Sequence, residues 1–103
     1  MTDSDEDLLA ILILSHKHFV NSYDLCKVLA WKFHIINCSE IIKRIEAKGH
    51  IITTYPKSKT LEHFTLTFDG KKVLQEEISS LIGLLKNEFP DEIEFINKLS
   101  SYE

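Results

Sequence analysis

The chain has 103 residues, 44% apolar and 27% charged, which is the length and balance of one globular domain with its own core. Three glycines and two prolines exclude a turn-rich all-β domain, a collagen-like chain and a flexible linker. The longest apolar run, residues 8–14, falls far short of the roughly 20 residues that cross a bilayer. Acids precede it, the wrong sign for a secretory leader. A soluble, cytoplasmic, reduced chain with no membrane contact is expected.

The formal net charge is −4, unevenly spread. Residues 1–15 carry only acids, residues 16–72 carry ten bases against five acids, and residues 73–103 are acidic again. A basic centre between acidic ends can meet phosphates locally while the whole chain stays acidic.

In chain order, residues 6–19 predict a helix that is apolar almost all round, hence central and buried, with Ser4 as its cap. Asn21 or Ser22 caps a second helix whose stripe is Tyr23, Cys26, Leu29, Ala30 and Phe33. Asn37-Cys38-Ser39-Glu40 has the spacing of a capping box. The helix it opens ends at Gly49, with Cys38, Ile41, Ile42 and Ile45 on one side. Ile36, Glu40, Lys43, Arg44 and Ala47 fall on the other side. Residues 51–55 are β-branched and aromatic, so a strand. Residues 56–60 are a polar break, and residues 64–68 alternate as a second strand with Phe64, Leu66 and Phe68 inward. Thr67 caps a long helix to about Phe89, and Pro90 stops it. Asp91 caps a last segment with Ile93, Ile96 and Leu99 inward.

Three helices, a hairpin and a long helix make an α+β, mostly helical layout. It resembles a winged helix-turn-helix, with a short extra helix at the end. The likeness is sharpest in Ile42-Lys43-Arg44-Ile45-Glu46-Ala47-Lys48-Gly49-His50-Ile51. That stretch is similar to the end of the recognition helix and the start of the wing in MarR-type and PadR-type transcription regulators. Leu66-Thr67-Phe68-Asp69-Gly70 resembles the Leu-Thr-x-x-Gly that closes their wing.

The resemblance implies a sequence-specific regulator that binds duplex DNA as a homodimer. Residues 1–68 would be the DNA-binding core. Residues 69–103 would pack on it within one domain and pair two copies through Leu74, Ile78, Leu81, Leu85 and Phe89. The recognition helix, about residues 38–48, would enter the major groove. There Ser39, Glu40 and Lys43 would face base edges, with Ala47 permitting close approach. Lys57 and Lys59 in the wing, residues 55–63, would reach the backbone or minor groove. Arg44, Lys32 and His34 would be flanking phosphate contacts, which position without reading sequence. The alternative is a winged helix used as a protein-interaction module without DNA contact, favoured by the acidic balance and by a wing that lacks arginine.

Other chemistry finds no pattern. Five scattered histidines form no His-x-x-x-His pair, and Cys26 and Cys38 no Cys-x-x-Cys pair. Both cysteines read as small apolar groups on inward helix faces, with a redox switch between them as the other reading. Trp31 reads as a core lid or a partner contact. The three glycines are isolated, so no phosphate-cradling loop is expected. No catalytic residue, metal or cofactor is implied.

Overall fold

A computed structural model describes residues 1–55 and 61–101 of the chain. The first helix, α1 (Asp3–Leu14), starts and ends earlier than its apolar pattern predicts. Thr2, not Ser4, caps it. The Thr2 hydroxyl accepts from the Asp5 amide and the Asp5 carboxylate accepts from the Thr2 amide. At the other end the Ser15 hydroxyl donates to the Leu12 carbonyl, a local bond that competes with helix continuation. Residues Lys17–Phe19 form a separate 3-10 turn.

The Asn21 side chain accepts from the Asp24 amide at 2.8 Å and opens α2 (Ser22–Phe33). His34 then adopts a left-handed φ of +57°, which reverses the chain tightly. Ile35 is buried by this turn, while Ile36 is 91% exposed. Next comes α3 (Cys38–Ala47). Its predicted capping box does not form. Asn37 has φ −94° and ψ 42° rather than the extended backbone a cap requires, and its amide donates to Glu6 Oε1 at 3.3 Å instead. Gly49, at φ +75°, ends this passage in a conformation that only glycine adopts freely.

Strands β1 (Ile51–Thr54) and β2 (His63–Leu66) pair antiparallel, with Ile51 opposite Leu66 and Thr53 opposite Phe64. The link between α1 and α2 lies along the far edge of β2. The Phe64 amide donates to the Val20 carbonyl at 2.7 Å, and the Ser22 amide to the Glu62 carbonyl at 2.9 Å. The outer edge of β2 is therefore partly paired, which blunts it against association with other strands.

Phe68 does not face the core. The strand ends at Leu66, Thr67 caps α4 (Phe68–Glu88), and Phe68 becomes its first residue, 80% exposed. The two motif pieces around the hairpin clasp each other. The Thr67 hydroxyl accepts from the Gly70 amide at 3.0 Å and donates to the Gly49 carbonyl at 2.6 Å. The Thr67 amide donates to the His50 carbonyl at 3.0 Å. Gly70 sits directly against that carbonyl, where a Cβ has no room. The need for glycine at the start of this helix is thus a close backbone approach.

After α4, Pro90 begins a 3-10 turn over Pro90–Glu92, followed by α5 (Ile93–Leu99). Ile96 and Leu99 are buried, but Ile93 is 40% exposed. Phe95 takes the inward position instead, with its ring 6.3 Å from that of Phe19 and 6.1 Å from that of Phe33.

The described residues thus form an α+β, mostly helical arrangement of five helices and a two-stranded hairpin. Leu9 and Leu12 of α1, Leu29 of α2, Ile41 and Ile45 of α3, and Leu74 and Leu85 of α4 are fully buried in one cluster. That cluster corrects the expected pairing surface. Leu74, Leu81 and Leu85 are at most 3% exposed inside a single chain. Ile78 and Phe89 pack partly buried against the same core. Three leucines of the α4 arc are thus taken up by the core, while Val73 and Ile82 beside them are only partly buried.

Candidate nucleic-acid interface

Helix α3 buries one edge and leaves the other exposed. Cys38, Ile41 and Ile45 are buried, and Ser39, Glu40, Lys43 and Ala47 are exposed. Those four predicted residues share the outward face, as their helical spacing requires. The hairpin lies alongside, for the Thr53 hydroxyl donates to Glu46 Oε2 at 2.6 Å.

The inner edge of α3 is fixed by charge. Asp7 on α1 is only 3% exposed. It accepts from Arg44 Nη2 at 2.7 Å, from Arg44 Nε at 3.0 Å and from Lys48 Nζ at 3.1 Å. Glu6 adds a weaker pairing to Arg44 Nη2 at 3.7 Å. A buried carboxylate demands such partners, since an unpaired charge at low dielectric is costly. The same hydrogen bonding to Asp7 pushes the Arg44 guanidinium above its ordinary pKa. Arg44, expected to be a phosphate contact, is therefore a tether between α3 and α1.

Lys32 has a similar fate. Its Nζ lies 3.5 Å from Glu92 Oε1 and 5.3 Å from the centre of the Phe95 ring, so it packs α2 against the C-terminal segment. His34 is exposed in the α2–α3 turn. Lys57 and Lys59 lie outside the described residues. On the outward face Lys43 is flanked by Glu40 and Glu46, all three exposed. Among the described residues Lys43 enters no ion pair. Farther along the hairpin, the Glu62 carboxylate beside Tyr55 raises that phenol above its ordinary pKa, because the phenolate would be a second negative charge.

Two features escaped sequence reasoning. Asp7 looked like one more acid in a first turn. Its position one turn before the buried Ile11 was the available signal, together with the presence of a single arginine in the chain. The second feature is the cysteine pair. Cys26 and Cys38 are not separate apolar fillers but are joined by a disulfide, with Cα atoms 5.5 Å apart. The left-handed turn at His34 folds α3 back onto α2 and brings them together. Trp31 is no core lid either. It is 70% exposed, on one face of α2 with Tyr23, and Lys27 Nζ lies 4.5 Å from the centre of the Trp31 ring.

No helix among the described residues is long and apolar enough to cross a membrane. No family model, curated protein or solved structure matches the chain.

Proposed function

We propose that the chain is a winged helix-turn-helix protein of the MarR-type or PadR-type design that binds duplex DNA and regulates transcription. The observation that carries this reading is the one-sided anchoring of α3. Its inner edge is fixed to α1 and α2, while Ser39, Glu40, Lys43 and Ala47 stand outward beside the hairpin. The pairing of the α1–α2 link with β2 supports it, since it fixes the hairpin to the helical body. In this reading α3 enters the major groove, Lys43 donates to guanine and Glu40 accepts from cytosine. A cytoplasmic location belongs to the same proposal. Binding as a homodimer belongs to the proposal, with the contact formed by surface other than the buried Leu74, Leu81 and Leu85.

The test is binding to a randomised duplex library followed by titration at rising salt. Affinity falls steeply with salt when several phosphates are neutralised. Lys43→Ala lowers discrimination among sequences, while Lys57→Ala with Lys59→Ala weakens all duplexes alike. No binding to any duplex at low salt overturns the reading.

A specific observation favours a second reading, the interaction module. Arg44 is bound to the buried Asp7, Lys32 pairs with Glu92 at the surface, and Lys43 has an acid on either side. The elements adjoining α3 also expose Ile36, Ile52 and Tyr55, each 50% or more. Loss of duplex binding with retained capture of a protein partner through these three residues would select it.

A further inference from the structure

The two sulfurs of the Cys26–Cys38 disulfide have unlike surroundings. Cys26, on α2, is partly buried and lines an open groove with Tyr23, Lys27, Trp31 and Leu61. Cys38 is the first residue of α3 and only 6% exposed. A helix N-terminus favours negative charge on a departing Cys38 sulfur, while its burial leaves Cys26 as the sulfur that an external thiol reaches. Thiol–disulfide exchange needs an accessible sulfur to attack and a leaving sulfur that holds charge well. Both conditions are met here, in one orientation.

We propose that this bond is an exchange site at which a small anionic thiol of the glutathione class attacks Cys26 and releases Cys38. The incoming thiolate forms a bond to Cys26 Sγ, the Sγ–Sγ bond breaks, and its electron pair leaves on Cys38 Sγ. A second thiolate attacks the external sulfur of the mixed disulfide and expels Cys26, and the Cys26 and Cys38 thiolates each take a proton from water. The chain gains two electrons and two protons as the dithiol, and the small thiol leaves as its symmetric disulfide. Glutathione disulfide reverses both steps. Lys27, over the Trp31 ring on the groove wall, favours an anionic attacker. The bond ties the first turn of α3 to the middle of α2. That turn has no side-chain cap, because Asn37 is turned to Glu6. Reduction therefore loosens residues 37–40, including Ser39 and Glu40, before the rest of the helix.

The test treats the oxidised full chain with reduced glutathione under native conditions, quenches with acid at intervals and maps tryptic peptides. Cleavage after Lys32 separates the two cysteines. The expected transient adduct is on Cys26, in roughly tenfold excess over Cys38, since exchange rate follows access and leaving group. Lys27→Gln slows glutathione about two- to fivefold relative to neutral 2-mercaptoethanol, the size of one screened charge. Amide exchange at residues 37–40 rises on reduction while α1 is unchanged. An adduct on Cys38, equal adducts, reduction only in denaturant, or unchanged exchange at residues 37–40 overturns the proposal.

Discussion

Lys43 and Arg44 are neighbours on one helix, yet they belong to different regions of the molecule. Lys43 stands in solvent on the outward face of α3. Arg44 turns inward to a nearly fully buried carboxylate on α1. Both are cations on a ten-residue helix, and both fall on its polar side when the helix is drawn alone. What separates them is Asp7, which lies 37 residues before Arg44 in the chain. Charge type therefore says little about role until burial is known. A cation that satisfies a desolvated acid is structure, and one left in water is available to a ligand.

Substitutions on the two edges of α3 separate these roles. The largest effect is expected where α3 is covalently tied. Replacing both cysteines by serine removes the closure of a loop of 12 residues' separation and lowers stability by about 3 kcal/mol in the chain-entropy account. Denaturant unfolding of the double variant against the oxidised parent measures it. Little change in the midpoint would mean that packing, not the bond, holds α3 to α2.

Arg44→Ala comes next. It leaves Asp7 with Lys48 as its main partner and costs roughly 2–3 kcal/mol, because the carboxylate stays buried. Lys43→Ala changes stability by less than about 0.5 kcal/mol, as exposed substitutions do. Equal losses at the two positions would erase the distinction between the edges. Combining Arg44→Met with Asp7→Asn recovers part of the loss, since the uncompensated charge is then gone.

The glycines of α4 extend the same logic to backbone. Gly70→Ala forces a Cβ against the His50 carbonyl and costs about 2 kcal/mol or more. Gly83 faces open space on the same helix, so Gly83→Ala raises stability by up to about 1 kcal/mol through helix propensity. Thermal unfolding of the two variants gives opposite signs.

The smallest expected effect concerns Tyr55. Its phenol titrates above the ordinary value of about 10 because Glu62 disfavours the phenolate. A raised folded-state pKa contributes stability that is present below the unfolded value and lost as pH rises through the folded one. Glu62→Gln shifts the midpoint back downward, read by NMR titration of the Tyr55 ring. An unchanged midpoint would remove Glu62 as the cause.

The order of helices and strands was legible in the sequence because it is written locally. Apolar spacing, the Asn21 cap, the Gly49 stop and the Thr67 cap act over one or two turns of chain. Glu40, Lys43 and Ala47 were legible as an outward set for the same reason, since helical periodicity puts them together; Ser39 joined them through the resemblance. Tertiary structure decided the rest. Arg44 and Lys32 lost their freedom to acids far away in the chain, Asp7 and Glu92. Leu74, Leu81 and Leu85 are buried in the core of one chain, which leaves them no surface for a second copy. Phe68 faced solvent once the strand stopped two residues short of it, and two cysteines met because one left-handed residue turned the chain. Periodicity specifies which side of an element is apolar. It carries no information about what will cover that side, and burial is a property of the pair.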